Sequence, residues 1–474
     1  MMINKIAVCP ICGKRTWLRI QDGGYLNEYP IRVNCINCRA LIKGVYIMDP
    51  KSPYKGLHLL NAEIEEQDPD PDTLTMPNVD YVAEISGELP CKKVYTYEGG
   101  LPTSPFLAAV DHLESVEARI ERLKYFTKNM MDWRKRKSIA FELLDEGSVE
   151  YIATALNNKM GDYKYECDNY LKALHCLQEV VLEETKYLFL EPGQDEYLAN
   201  LRMRLAELDK DSLHEMASQM GGVEDIILTY RKIIEVFSSF MNVYPNLLPA
   251  ETFMRFIDKE HCNDGIATCS FGDIKEYYQD AYEAILLLMY IPVCLDNIAT
   301  RGDFKAFDIG LFADVKPTHI KRDFKWYRSL DNGTRLNKLN VSEQYQAVID
   351  LPANRFLRNG IGHNNVKYDS ITQIVTAFDL RKPNKIKYQN SLMSVAVDCI
   401  GLARSAVIMS EMILYILRQE FRTEGIRTVM HPRFYKGIEP NMKCPCGSGI
   451  KYKKCCRTEV DQLLYMAEKE KKTQ

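Results

Sequence analysis

Four thiols within thirteen residues, Cys444, Cys446, Cys455 and Cys456, constrain this chain more than any other feature. A segment that short has no core of its own. Cys444 and Cys446 alternate across an extended stretch, and Gly447 and Gly449 permit a tight turn. The segment is therefore expected to fold by closing four sulfurs on one metal ion, which supplies its folding energy. A second quartet opens the chain: Cys9 and Cys12, a 22-residue gap, then Cys35 and Cys38. Both spacings suit zinc, and for the closing quartet free reduced thiols are the alternative. A zinc ion held by four thiolates has no open position for water, so both sites are expected to be structural and the chemistry to lie between them.

The closing segment, Cys444-Pro445-Cys446-Gly447-Ser448-Gly449 through Cys455-Cys456, resembles the SEC-C motif. That resemblance implies docking onto a protein partner. Lys451, Lys453 and Lys454 suit an acidic partner, or simply offset thiolate charge. The opening Cys9-Pro10-Ile11-Cys12-Gly13-Lys14 resembles a zinc ribbon over residues 1–46, with strands such as 17–20 and 31–34 and a hairpin extended through Gly23 and Gly24. Ribbons bind nucleic acid, bind protein or fasten an N-terminus, and the sequence leaves all three open.

Fifteen cysteines, of which seven lie outside the quartets without framework spacing, point to a reducing compartment. Residues 1–5 run straight into the first knuckle without the apolar stretch of a signal peptide. The longest uninterrupted apolar run, residues 284–295, contains Pro292 and is too short to span a bilayer. These features predict a cytoplasmic protein with no membrane partner. The net charge is −4, but residues 1–46 and 431–474 each carry +5, leaving −14 for the remainder. Basic ends on an acidic body suit RNA contact, although solvated charge is the commoner origin of such a pattern.

The pattern between the quartets is mainly α. An acidic, proline-bearing stretch at 63–73 and a Val- and Tyr-rich alternation at 81–97 predict linker and short strands over 47–109. Helical periodicity at 113–126, 165–190, 196–208 and 223–243 predicts a helical middle domain over 110–260. A break near 261–271 precedes a second helical block over 270–425, and the SEC-C segment (440–460) is followed by a basic tail (461–474). His261, Cys262 and Cys269 make part of a third metal set without an obvious fourth ligand, and His175 sits in a helical run where core packing is the default.

The second block holds Arg355-Phe356-Leu357-Arg358-Asn359-Gly360-Ile361-Gly362-His363-Asn364-Asn365 between apolar helices expected at 278–298 and 393–420, with a small hairpin at 371–380 and 385–388. An imidazole exchanges protons near neutral pH, the role open to His363. A guanidinium clamps phosphate oxygens, the role open to Arg358. On a helix at ~100° per residue, Asn359 and His363 fall ~40° apart, whereas Arg358 lies ~140° from His363. Either the helix distorts at Gly360 and Gly362, or a second copy supplies the missing half.

This Arg-x4-His string and its helical setting resemble the HEPN superfamily, all-α domains many of which are metal-independent endoribonucleases. The resemblance implies a homodimer acting on RNA in toxin or antiviral-defence systems. Arg358 and His363 would be catalytic, Asn359 would orient them, and Arg355 would contact substrate phosphate. It also implies an acidic support residue on the preceding helix, for which Glu283 and Asp296 are candidates. In the alternative reading Arg358 sits in a salt bridge, His363 caps a helix C-terminus, and Arg355 makes a surface ion pair. The chain is then a non-catalytic adaptor that dimerises through this block and docks to a ribosome, chaperone or nucleic acid. Walker, dinucleotide-binding and H-E-x-x-H motifs do not occur.

Overall fold

The computed structural model describes the chain except residues 1, 22–25, 50, 66–77, 92–93, 101–102, 157–165, 186–193, 258–264, 308–323, 332–334, 336–344, 346–353, 428, 430–431 and 474. Its strands are β1 (Met2–Val8), β2 (Arg15–Gln21), β3 (Glu28–Asn34), β4 (Leu41–Ile47), β5 (Gly56–Leu59), β6 (Glu63–Glu65), β7 (Tyr81–Ser86), β8 (Val94–Thr96), β9 (Val366–Asp369), β10 (Ile374–Phe378) and β11 (Ile386–Ser391). The helices are α1 (Pro105–Ala109), α2 (Val116–Asp145), α3 (Ile152–Ala155), α4 (Tyr170–Thr185), α5 (Gln194–Leu205), α6 (Lys210–Gln219) and α7 (Gly222–Phe253). They continue with α8 (Phe271–Leu287), α9 (Tyr290–Arg301), α10 (Phe324–Ser329), α11 (Arg355–Gly362), α12 (Leu392–Thr423) and α13 (Arg457–Thr473). The protein is thus mainly helical with small sheets. It divides into one unit of residues 1–127, 239–280 and 352–401, and a second of 128–238, 281–351 and 402–474.

The first unit contains three sheets, ordered β6-β1-β2-β7-β8, β3-β4-β5 and β11-β10-β9. The two thiol knuckles are the turns of the β1–β2 and β3–β4 hairpins, so the strands expected to close one ribbon lie in two different sheets. The proposed extension through Gly23 and Gly24 lies outside the described residues. Strand β2 pairs in parallel with β7, setting Arg19 opposite Glu84. That pair is buried at 2.6 Å, with the Tyr95 hydroxyl donating to the same Glu84 oxygen. Burial raises the Glu84 carboxyl pKa, and Arg19 opposes that shift. The acidic stretch begins as a strand rather than as linker, because Glu65 on β6 accepts a two-pronged bond from Arg15, at 2.6 and 3.0 Å.

Three helices depart most from their sequence-based bounds, the first being α2, which is expected over 113–126 and continues to Asp145. The segment expected as one helix over 278–298 divides into α8 and α9, with i−3 bonds from Leu288 and Met289 at the junction. Pro292 carries no N–H to bond the carbonyl of Leu288, and its ring crowds that carbonyl. Helix α7 runs ten residues past its expected end, through Pro245 and Pro249. Tyr244, Leu247 and Leu248 are buried there, and the Thr268 hydroxyl donates to the Asn246 carbonyl. Packing of that apolar face outweighs a proline cost of about 3 kcal/mol each. Residues 271–301 and 392–423 are long and apolar enough to cross a membrane, but 78% and 72% of their most apolar windows is buried within the protein, as in core helices.

The second unit is built around a buried ionic network. Arg202 on α5 donates two bonds to Glu411 on α12, both at 2.7 Å. Gln178 on α4 adds a third at 3.3 Å and accepts in turn from the Tyr230 hydroxyl at 2.9 Å. Arg418, one helical stretch beyond Glu411, donates to Nε2 of His175 at 3.0 Å. Burial, reinforced by Arg418, drives the His175 pKa well below the usual histidine range, which keeps the ring neutral and able to accept. The core-packing expectation for His175 thus holds, with a polar partner the sequence did not reveal.

Candidate active site and metal centres

Helix α11 carries the Arg-x4-His string and lies against β10. Its N-cap, Asn354, accepts from the Phe356 and Leu357 amides, and the Asn354 amide donates to the Tyr278 hydroxyl at 2.7 Å. Leu357 and Ile361 are buried toward the sheet. A Cβ on Gly360 would stand 2.7 Å from Cβ of Ala377, so this glycine lets the helix meet β10 closely. Of the two positions considered for a distortion, the helix is continuous through Gly360 but ends at Gly362, leaving His363 as a non-helical C-cap at φ −107°, ψ 12°. Its C-terminus is closed by the amide of Asn365 bonding the Gly360 carbonyl at 2.7 Å and that of Asn364 bonding Ile361 at 3.1 Å. Asn364 is left-handed at φ 52°, the conformation this closing motif requires and asparagine tolerates.

The site side chains emerge from this frame. Nη1 of the half-buried Arg358 donates to Oδ1 of Asn359 at 3.0 Å. That bond ties the guanidinium to the side chain of the next residue along the helix. His363 is the C-cap residue, its backbone amide bonding the Asn359 carbonyl at 3.0 Å, and it is exposed to solvent. Arg355 is exposed with its guanidinium 4.8 Å from the Phe356 ring centre, and Lys387 on β11 approaches the same ring at 5.3 Å. Residues 355–391 hold seven Lys or Arg against two Asp, a local +5 in a chain of net −4. Asp369 bonds Arg39, and Asp379 pairs with Lys387 at 3.3 Å.

Of the two acids proposed as support, Asp296 is fully buried and bound to Arg301 at 3.1 Å, and Glu283 interacts electrostatically with Arg335. A third acid was missed. Asp398, on α12 within the first unit, is largely buried beside Tyr278, Tyr388 and Cys399, and burial pushes its pKa up to about 7. A lone aspartate between Val397 and Cys399 in an apolar helix was the available signal. Because the folded state retains this proton between the ordinary carboxylate range and pH ~7, ionisation at Asp398 lowers stability as pH rises through that window and leaves a constant penalty above it. Asp398→Asn is therefore expected to stabilise the protein by on the order of 3 kcal/mol at pH 8 and negligibly at pH 4, read from urea midpoints at the two values. An equal effect at both would exclude a raised carboxyl. His261 and Cys262 lie outside the described residues, and Cys269 donates to the Ser270 carbonyl.

At the N-terminal quartet the sulfurs of Cys9, Cys12, Cys35 and Cys38 all lie within 4.8 Å of one another, with Cys9 to Cys38 at 3.5 Å and Cys12 to Cys35 at 3.6 Å. A zinc ion with ~2.3 Å bonds sets tetrahedral sulfurs about 3.8 Å apart, so the set fits one ion. The knuckles repeat the same turn. Gly13 and Arg39, each four residues after its first cysteine, are left-handed at φ 69° and 63°. The Lys14 backbone amide, then Asn37, bring the Cys12 thiol down to about 6, favouring the thiolate that binds metal.

At the C-terminal quartet, Cys444, Cys446, Cys455 and Cys456 also lie within 4.8 Å, with Cys446 to Cys455 at 3.4 Å and Cys455 to Cys456 at 3.7 Å. The Ser448 hydroxyl stands 3.1 Å from the Cys455 sulfur. Hydrogen bonding, from Cys444 first, brings Cys455 down to about 6. Tyr435 and Tyr452 stack beneath the thiols at 5.3 Å, and Val460 of α13 completes a small core there. Residues 441–457 match the family model of the SEC-C motif. No curated protein and no solved structure matches the chain. The SEC-C match spans all four cysteines, and both quartets can hold zinc. Lys451, Lys453 and Lys454 of the SEC-C segment are exposed.

Proposed function

We propose that the chain is a dimeric, metal-independent endoribonuclease of HEPN type, with two zinc ions as staples. The observation that carries this reading is the Arg358–Asn359 bond beside a solvent-exposed His363, on a helix set into a sheet segment of local charge +5. Cleavage of RNA without a catalytic metal needs a proton acceptor for the 2′-hydroxyl, a donor for the departing 5′-oxygen and positive charge on the phosphorane. In this reading His363 takes the 2′-hydroxyl proton, the 2′-oxygen attacks phosphorus, and the phosphorus–5′-oxygen bond breaks. The partner subunit's His363 protonates the leaving oxygen. Arg358, aimed by Asn359, holds the non-bridging oxygens, and Arg355 contacts a neighbouring phosphate. The products are a 2′,3′-cyclic phosphate and a 5′-hydroxyl.

The toxin or antiviral-defence role and a cytoplasmic setting come from the family resemblance and the cysteine pattern. A protein partner at the SEC-C segment is suggested by its exposed lysines. The adaptor reading draws on one observation, the position of His363 at a helix C-cap, and predicts intact RNA. Purified zinc-loaded protein is expected to cut structured RNA equally with and without EDTA over the first minutes, before the staples are stripped. Cleavage that stops at once on chelation and returns with added Mg²⁺ would contradict a metal-independent site.

A further inference from the structure

The C-terminal quartet is bordered by one face of α12 whose polar groups have no work to do without it. Tyr415, Gln419 and Arg422 recur at i, i+4 and i+7, one stripe of the helix. Oη of Tyr415, Nε2 of Gln419 and Nη1 of Arg422 are all buried without a hydrogen-bond partner among the described residues. Tyr415 is 1% exposed and Gln419 7%, so bulk water does not reach them. All three atoms can donate. The motif's Gly447, left-handed at φ 82°, lies directly on this stripe: a Cβ there would stand 2.6 Å from Nε2 of Gln419 and 2.7 Å from Oη of Tyr415. Gly447 follows the ligand Cys446, with which Arg422 is charge-paired, Cys455 and Cys456 adding to the same field.

A zinc ion with four thiolates carries a net charge of −2, and its sulfurs remain hydrogen-bond acceptors after coordination. Buried donors of this kind orient metal ligands and set the affinity of the site. We propose that Tyr415, Gln419 and Arg422 form an outer donor shell for the C-terminal metal centre, Arg422 offsetting its charge and the other two donating toward the Cys446 turn. The SEC-C segment of this chain is then fastened to α12 by its metal rather than held out as a free knob. The glycine at 447 is required because any side chain there would separate the donors from the sulfurs. The same helix face continues to Arg418 and Glu411, so loading of the metal is linked to the ionic network of the second unit.

The inference rests on zinc occupying the quartet, and the test separates the two claims. Full-length protein is expected to hold two zinc ions, with Cys446→Ser identifying the C-terminal one in release to a colorimetric chelator. Arg422→Gln should weaken that ion alone by about 10- to 100-fold, Arg422→Lys should recover most of the loss, and Tyr415→Phe should weaken it by ~10-fold. The N-terminal zinc serves as an internal control. In cobalt-substituted protein the sulfur-to-metal charge-transfer band should move to lower energy in both Arg422→Gln and Tyr415→Phe, since undonated sulfurs give up electrons more readily. This signature survives a loss of stability. Wild-type release and an unmoved band in both variants would overturn the donor shell. A single zinc in the wild type, unaffected by Cys446→Ser, would overturn the metal reading beneath it.

Discussion

His363→Ala is expected to lower RNA cleavage by 10²- to 10⁴-fold while leaving the thermal midpoint close to that of the parent chain. The first figure is the usual worth of a positioned general acid or base. The second follows from the exposure of the imidazole and from the backbone origin of its cap: the His363 amide, not its ring, bonds the Asn359 carbonyl. Arg358→Lys should also be severe, because one guanidinium nitrogen donates to Asn359 at 3.0 Å and an ammonium in its place offers phosphate no planar fork. Asn359→Ala should fall between them, freeing the guanidinium without removing its charge. Cleavage kinetics on a short fluorescent RNA, with Tm measured alongside, would separate catalytic from folding losses. Parallel losses of activity and Tm in all three would point to the structural role instead.

Glu411→Ala is expected to cost the second unit about 3–5 kcal/mol, the largest effect of any single substitution considered, because buried Arg202 loses its two 2.7 Å bonds and buried Arg418 its carboxylate at 3.7 Å, leaving Glu179, 3.8 Å from Arg202, to offset the charge. Burial and Coulomb attraction compete at this group. Desolvation would raise the Glu411 pKa, but Arg202 overrides it and holds the carboxyl below its usual range. The sign follows: stability from this pair is present above the ordinary carboxylate range and is lost as pH falls through the depressed folded value. Glu411→Gln should cost less than alanine near neutrality, since the amide oxygen still accepts from Arg202. Urea unfolding followed by far-UV circular dichroism gives both numbers, and a cost below ~1 kcal/mol for alanine would show that the two arginines find other compensation.

The two quartets were legible because sulfur ligands are specified by identity and close spacing, and Cys444 to Cys456 can hardly be arranged otherwise around one ion. The helix end at His363 was legible only within the structural alternative, and the left-handed Asn364 that closes it carried no argument there. The hairpin expected near 371–388 is present as β10 and β11, but its third strand, β9, pairs through a turn that carries no strong sequence signal. What the sequence did not disclose is long-range. Arg202 and Glu411 are separated by 209 residues and Arg418 and His175 by 243, and no periodicity connects such partners. The same limit applies to Asp398, whose raised pKa depends on what surrounds it rather than on its neighbours in the chain. It applies also to Arg358, whose bond to the Asn359 side chain no helical spacing announces.

The central claim is that an imidazole and a guanidinium on α11 cut RNA through its own 2′-hydroxyl. Mass spectrometry of the ends left on a defined RNA, comparing the parent protein with His363→Ala, tests it most directly. The account predicts 2′,3′-cyclic phosphate and 5′-hydroxyl ends from the parent and uncut RNA from the variant. Linear 3′-hydroxyl and 5′-phosphate ends, or identical products from both proteins, would contradict it.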